Sequence, residues 1–278
     1  MSTSNPFGEN PFKFPRRNPG ERRKIGPLGL TLISLVVISI ILVSLSGFYA
    51  DLLWFRSVNF VSVWRKVLFT KAELFILFGA ITSLFMTANL YLAYRTRPVY
   101  APTSVEADNL ERYRGQIDPI KRWLTLAIFV FIFYFAGSTG MRLWESWLQF
   151  NNATPFGVKD VQFHKDISFF AFKLPMYQSL LSWAISVVIL TLIISAGVHY
   201  LYGGIRPQVR EDRTTVAARV QLSILLGALV MLKAAAYWLD RYNLALKQGK
   251  LITGLAYTDV NATLPAKAIL AGIAVICA

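Results

Sequence analysis

Residues 28–49 read LGLTLISLVVISIILVSLSGFY, an apolar stretch without a charged side chain. Comparable stretches begin at five further positions: Ala72, Trp123, Tyr177, Val220 and Pro265. An α-helix needs about 20 apolar residues to cross the hydrocarbon core of a bilayer. A helix also satisfies its own backbone hydrogen bonds, which lipid cannot do. The sequence therefore predicts an all-α fold, a polytopic transmembrane helix bundle.

The lengths of these stretches set the number of predicted spans. Five are long enough to cross a bilayer, at residues 28–49, 72–94, 123–141, 177–202 and 220–239. The sixth has only about 14 residues from Pro265 to Ala278, fewer than a crossing needs. We expect five full spans and a truncated sixth within a transmembrane domain at 28–278, which forms the N-terminal part of a longer protein.

Two short segments add detail to this assignment. Residues 51–71 carry apolar side chains at helical spacing between basic ones, with Trp54 and Trp64 among them. This pattern is typical of an amphipathic interfacial helix; the alternative is that the segment extends the neighbouring spans. Residues 137–140, Gly-Ser-Thr-Gly, favour close packing of the third span, because small side chains let two helix backbones approach.

The composition combines 55% hydrophobic residues with a formal net charge of +14. Apolar spans joined by basic loops explain this pairing in a membrane protein. The basic residues are dispersed between spans, which argues against nucleic-acid binding. Residues 1–27 are rich in Pro, Gly and Asn and then basic, so we expect a disordered tail there.

The distribution of Lys and Arg predicts the orientation of the chain. The tail contributes six basic residues: Lys13, Arg16, Arg17, Arg22, Arg23 and Lys24. Loops after the second and fourth spans are denser in arginine than the alternate loops. By the positive-inside rule, the N-terminus is cytoplasmic and the protein is a multi-pass component of the cell membrane. The outer loops are then residues 51–71, 142–176 and 240–264.

Four loop motifs carry a resemblance to a known family. They are DLLWF at 51–55, TPFGVKDVQFHKDISFFAFKLP at 154–175, HYLYGGIRPQ at 199–208 and GLAYTDVNATLPA at 254–266. Together they resemble uncharacterised protein family 0182, a bacterial and largely actinobacterial family of multi-pass membrane proteins. The resemblance implies about seven spans followed by a large extracytoplasmic region. It implies no activity, cofactor or catalytic residue.

Lys233 is the one charged residue well inside a predicted span. An ionisable group at such depth is costly and normally faces protein or water. One interpretation is an ion or proton path. The interpretation we favour is that the side chain extends to the outer interface, with Asp240 two turns away.

Acidic residues among aromatic ones mark two of the outer loops. Asp160 and Asp166 lie in the loop at 154–175, and Asp259 lies in the loop at 254–265. These carboxylates could shape a binding surface for the missing domain or for a ligand of the cell envelope. The alternative, which the sequence leaves open, is that the aromatic residues of these loops pack against the helices.

Neither metal-binding nor catalytic patterns support an enzyme. The only histidines, His164 and His199, are predicted on opposite sides of the membrane, and Cys277 lies in an apolar stretch, so no metal set is expected from them. His199 is expected to anchor the interface. Nucleophile-elbow, phosphate-loop and zinc-protease motifs do not occur, and we expect no cofactor.

Two functional hypotheses follow. The first is a structural or scaffolding module that anchors an extracytoplasmic domain, with the bilayer and envelope proteins as partners. The second is a transporter or channel for an ion or an envelope-related solute. Transporters usually show repeats, broken helices or several intramembrane charges, and the sequence shows only Lys233.

Overall fold

A computed structural model describes residues 27–98, 118–206, 213–248 and 253–278. The predicted disordered tail therefore lies, except for Pro27, outside the described residues. Within the described ranges the chain is helical and contains no β-strand, only three isolated bridges. The predicted all-α fold is confirmed.

Seven α-helices are described. They are α1 (Pro27–Ser57), α2 (Val61–Arg95), α3 (Lys121–Met141), α4 (Trp144–Asn151), α5 (Leu174–Leu201), α6 (Val216–Asn243) and α7 (Leu264–Cys277). Single 3₁₀ turns occupy Asp118–Ile120 and Leu244–Leu246. By length and composition, six helices are long and apolar enough to cross a membrane, and the short α4 is not among them.

Two of these helices begin with a π-helical turn. The first, π1 (Phe169–Lys173), leads into α5, and the second, π2 (Asp259–Thr263), leads into α7. Each turn is followed by Leu-Pro, and the proline is the second residue of the helix. Proline lacks an N–H and its ring clashes with the carbonyl four residues earlier, so a wider turn at this position accommodates it.

The turn π2 corrects the predicted length of the sixth span. The sequence predicts a helix start at Pro265, but the helix extends through π2 and covers Asp259–Cys277, 19 residues. The expectation that this segment is too short to cross is wrong by that measure. Proline marks the first turn of an α-helix well, but it does not exclude a π-turn before it.

The predicted interfacial helix at 51–71 is absent. Helix α1 continues to Ser57, a tight turn places Asn59 at φ 58°, and α2 begins at Val61. The alternative interpretation, extension of the neighbouring spans, is correct. The basic residues that suggested a separate helix, Arg65 and Lys66, are exposed on the first turns of α2.

The chain divides into two compact units, residues 1–64 and 65–278. In the first, the rings of Phe48 and Trp64 pack edge to face with centroids 5.0 Å apart. The second holds the rest of α2 and all later helices.

Contacts between helix ends show that the helices of the second unit alternate in direction. At one end, Lys121 of α3 donates to the Tyr94 hydroxyl of α2 at 2.9 Å, and Tyr94 packs on Tyr202 after α5. We call this the basic end. At the other, called the loop end because it carries π1 and π2, the Gln178 amide of α5 donates to Asn243 of α6.

Glycine brings α2 and α3 into close contact. A Cβ on Gly137 would lie 2.7 Å from the carbonyl oxygen of Phe75, and one on Gly140 would lie 2.5 Å from Cβ of Phe78. From the α2 side, a Cβ on Gly79 would lie 2.8 Å from the carbonyl oxygen of Phe133. Close packing at residues 137–140 is therefore confirmed at the two glycines.

Candidate functional site

The carboxylate of Asp166 organises the loop that precedes π1. It accepts hydrogen bonds from the backbone N–H groups of Phe156 (3.0 Å), Gly157 (2.9 Å) and Ser168 (2.8 Å). Hydrogen bonds from the Ser168 hydroxyl and from these N–H groups stabilise the anion and lower the pKa of Asp166 to about 2. Gly157 has φ 76°, a conformation that favours glycine. Asp166 therefore holds both ends of the loop together.

Asp160 closes a tighter turn inside the same loop. Its carboxylate accepts from the N–H groups of Gln162 (3.0 Å) and Phe163 (2.7 Å), and its own N–H donates to the carbonyl of Lys165 at 2.8 Å. His164 adopts φ 53° in this turn. The bonds that Asp160 makes are those of a turn-forming residue.

Asp259 is buried at the first position of π2, with 4% of its surface exposed. Lys247, just before the second loop, donates to both carboxylate oxygens at 3.2 Å. The N–H of Ala256 (3.2 Å) and the hydroxyl of Thr263 (3.4 Å) also donate to Asp259. In the described structure the three carboxylates share no hydrogen-bond donor, because Asp160 and Asp166 are bound by backbone N–H groups of the first loop.

Aromatic side chains anchor the first loop to the bundle. The ring of Tyr242, near the end of α6, packs against Phe163 and Phe169 with centroid distances of 4.9 and 5.2 Å. The interpretation that the loop aromatics pack against helices is therefore correct for Phe163 and Phe169. Both rings are partly buried and partly exposed in this arrangement.

Other apolar side chains of the two loops are exposed, although the ring of Phe156 also packs edge to face on Phe172 of π1 at 5.5 Å. Exposed fractions are 90% for Val161, 57% for Val158, 52% for Phe156 and 84% for Tyr257. The two loops, whose backbones are held by Asp160, Asp166 and Asp259, thus each carry exposed apolar side chains. We call these four residues the exposed loop residues.

Lys233 lies on the exposed surface of α6 rather than in the bundle interior. Asp240, expected to assist it, instead pairs with Lys267 of α7 at 3.3 Å and accepts from Asn243. The structure therefore does not bring Lys233 to any of the candidate carboxylates.

The sequence analysis missed a buried polar cluster near the basic end. His199 is 1% exposed, and its Nε2 lies 2.9 Å from Oε1 of Gln221 on α6. The Gln221 amide nitrogen donates to the carbonyl oxygen (3.0 Å) and to Oδ1 (3.3 Å) of Asn89 on α2. The predicted interface anchor is therefore an interior residue linking three helices. The cluster could have been anticipated from two polar amides within apolar spans, Asn89 and Gln221.

The cluster continues along α5 as a stripe of inward-facing residues. Thr191 and Ser195 precede His199 at intervals of four, the spacing that places side chains on one helix face, and each is 1% exposed. Two intervals before Thr191, Trp183 donates to the Thr82 hydroxyl of α2 at 3.2 Å. Thr191 bonds the Val187 carbonyl, whereas the Ser195 hydroxyl is buried without a partner.

No metal centre is apparent in the part of the chain that the structure describes. There, no three residues among His, Cys, Asp and Glu come together in a group able to hold an ion. Among the described residues, Asp160 and Asp166 instead hold turns of the first loop. Lys247 pairs with Asp259, Lys267 pairs with Asp240, and His199 lies in the buried polar cluster.

The comparisons with known proteins place the chain in a family. Residues 28–278 match the model described as Uncharacterised protein family (UPF0182). The chain belongs to this family. A UPF0182 protein of Streptomyces coelicolor is 46% identical over 277 residues, covering 98% of this chain and 28% of the relative. One from Nocardioides is 45% identical over 267 residues, covering 94% and 27%.

This UPF0182 chain spans about a quarter of the length of the curated relatives that it matches. No solved structure matches it. The description of the family as uncharacterised names no activity.

Proposed function

We propose that this UPF0182 chain is the multi-pass cell-membrane part of a larger protein, with its N-terminus in the cytoplasm. It acts as a non-enzymatic scaffold that holds an extracytoplasmic region of the same protein against the loop end. Arginine density at the tail supports the orientation. The length of the relatives supports the existence of a further region for the scaffold to hold.

The observation that carries the scaffold role is the architecture of the loop end. Asp160 and Asp166 accept hydrogen bonds from backbone N–H groups of the first loop, and the buried Asp259 is bound by Lys247, Ala256 and Thr263, so all three carboxylates stabilise the loops themselves. Val161 is 90% exposed and Tyr257 is 84% exposed. Because the loops that carry them are already held in place by hydrogen bonds, packing them against another protein surface costs little conformational entropy.

The test uses Val161→Cys in the full-length protein, with Cys277 replaced by serine. A membrane-impermeant thiol reagent that carries a photo-crosslinking group is added to intact cells. The scaffold role predicts labelling of residue 161 and, after illumination, a crosslink to a peptide that follows residue 278. Val216→Cys is the matched control, since Val216 is 74% exposed at the basic end of α6.

Each part of the proposal has its own contrary result. Labelling of Val216→Cys but not Val161→Cys in intact cells would reverse the orientation. Labelling at residue 161 followed by crosslinks to lipid alone would remove the scaffold role and leave the orientation intact.

The second candidate function is a transporter or channel, favoured by the polar stripe of α5. Thr191, Ser195 and His199 give this helix an inward polar face, which a purely anchoring helix does not require. Specific, saturable uptake by liposomes containing the purified full-length protein, abolished by His199→Phe, would favour this candidate over the scaffold.

A further inference from the structure

We propose that α7 continues past Ala278 as the same helix and packs on the face of α6 that carries Val220 and Ile224. The partner of this face is therefore the segment of the same chain that directly follows residue 278. The relatives supply the reason to expect such a segment, because this chain covers only about a quarter of their length. The inference does not depend on the scaffold role, since it concerns a contact between helices and not the loop end.

The contacts between α6 and α7 show that the two helices are antiparallel. Near the loop end, Nζ of Lys267 lies 3.3 Å from a carboxylate oxygen of Asp240. At the other end of α7, the carbonyl oxygen of Ala278 lies 2.8 Å from the position of a Cβ added to Gly227. Helix α7 thus runs from the level of Asp240 to the level of Gly227, in the direction of the basic end.

Burial follows the part of α6 that α7 has already passed. Seven residues after Gly227, and on the same helix face, Ala234 is 4% exposed. Seven residues before Ala278, Ala271 is 7% exposed. In an antiparallel pair these two alanines are at the same level. The small residues Ala234 and Gly227 on α6 let α7 approach closely along this face.

The same face of α6 is exposed on the other side of Gly227. Ile224 and Val220 precede Gly227 by three and seven residues, which places them on its face. Their exposed fractions are 66% and 52%. From Gly227 to Val220 the distance along the axis is about 10 Å, so about seven further helical residues of α7 reach the level of Val220.

Hydrogen bonding favours continuation of α7 as a helix. The last four carbonyl groups of an α-helix have no partner within that helix. Gly227 lies inside the candidate span Val216–Leu246, and lipid offers no hydrogen-bond donor at such a level. Four further residues in helical conformation supply the missing N–H groups. Because α7 points along α6, these residues lie over Ile224 before they reach Val220.

The experiment is a disulfide scan of the full-length protein in membranes, with Cys277 replaced by serine. Val220→Cys is combined with one cysteine at a time at positions 279–289. After oxidation, the linked peptides are quantified by mass spectrometry. Antiparallel continuation brings Val220 level with a position about seven residues after Ala278. We expect linkage to peak there and to be at least about tenfold lower at positions half a helical turn away.

Leu226→Cys is the matched control for the face of α6. Leu226 is also 52% exposed, but it lies about 120° around the helix from Val220. Summed over the same positions, its linkage should be at least about tenfold lower than that of Val220→Cys.

A second pair of variants tests the close contact at Gly227. Gly227→Leu places a side chain where the Ala278 backbone lies, so linkage from Val220→Cys should fall by about tenfold. Gly272→Leu is the control, because a Cβ on Gly272 of α7 would meet nothing within 4 Å. Linkage in this control should equal that of the protein without the leucine.

Three results would overturn the proposal. Absence of linkage from Val220→Cys at every position would leave the face to lipid. A disulfide between two copies through Val220→Cys alone would assign the face to a second copy of the chain. Equal linkage from Val220→Cys and Leu226→Cys would show that no defined face is covered. If Gly227→Leu fails to fold, the comparison of Val220→Cys with Leu226→Cys decides alone. None of these results bears on the crosslink from residue 161, so the scaffold role is tested separately.

Discussion

The two loops that precede α5 and α7 share a backbone conformation, but their aspartates are bound by different groups. In both, a π-turn of five residues is followed by Leu-Pro and a long apolar helix. Asp166 lies three residues before π1 and is bound entirely by hydroxyl and N–H groups of its own loop. Asp259 lies within π2, is buried, and is bound by the cation of Lys247.

The first loop is therefore stabilised by bonds within itself, whereas the second loop also requires a residue outside it, Lys247. Backbone N–H groups near Asp166 remain its partners as long as the local turn persists. The pair of Asp259 and Lys247 requires π2 and the end of the preceding helix to be in place together. The second loop should therefore be the more sensitive of the two to the loss of a single side chain.

The largest expected effect is that of Asp259→Asn. The amide keeps the shape of the carboxylate but removes the charge, so Lys247 loses its anion and the buried group loses a charge-assisted bond. We expect a larger decrease in melting temperature than for Asp166→Asn, measured on the purified protein in the same detergent. Equal decreases for the two variants would contradict the distinction between the loops.

A second comparison concerns the glycines with positive φ, Gly157 in the first loop and Gly254 in the second. Their φ values are 76° and 96°, and a Cβ would meet nothing closer than 3.7 Å at either. Alanine at each should cost only backbone strain, about 1 kcal/mol in the free energy of unfolding. Gly197→Ala and Gly272→Ala, in open positions within helices, are the controls and should not destabilise. A cost several times larger at one loop would indicate a packing role there.

The smallest expected effect is the pH dependence of the first loop. The pKa of Asp166 is lowered from 3.8 to about 2, so its contribution to stability is fully present above the ordinary value. As the pH falls from about 4 towards 2 the carboxylate is protonated and that contribution is lost. Amide exchange of Gly157 and Ser168 should accelerate in this window. Asp166→Asn should exchange at a rate independent of pH there, after correction for the intrinsic rate.

Helix positions were predictable from the sequence because apolar length alone decides them. The bounds of α3 and α5 fell within three residues of the predicted ones, whereas α1 and α2 extend well into residues 51–71. Basic side chains there suggested an interface, yet an exposed helix turn holds them equally well. The start of α7 at Leu264 lies one residue from the predicted Pro265, but the π2 turn before it was not predicted, because no residue pattern distinguishes a π-turn from a loop before proline.

The candidate site was predicted less well than the fold. Asp160, Asp166 and Asp259 were identified as important, but sequence cannot say whether a carboxylate faces a ligand or its own backbone. The His199 cluster depends on contacts across α2, α5 and α6, and a contact between helices leaves only isolated amides in the sequence. The charge of Lys233 within an apolar stretch suggested a functional residue, but the side chain is exposed on the surface of α6.

The glycine contacts between α2 and α3 have a consequence for the order of assembly during synthesis. At Gly79, Gly137 and Gly140, the three atoms nearest to an added Cβ are all backbone or phenylalanine atoms of the partner helix. The residues of this interface are thus all present once residue 141 has been synthesised, before α5, α6 or α7 has been translated. Contacts between consecutive spans form early and need no later helix. We therefore expect the α2–α3 pair to form first, with α5, α6 and α7 packing onto it as they are synthesised.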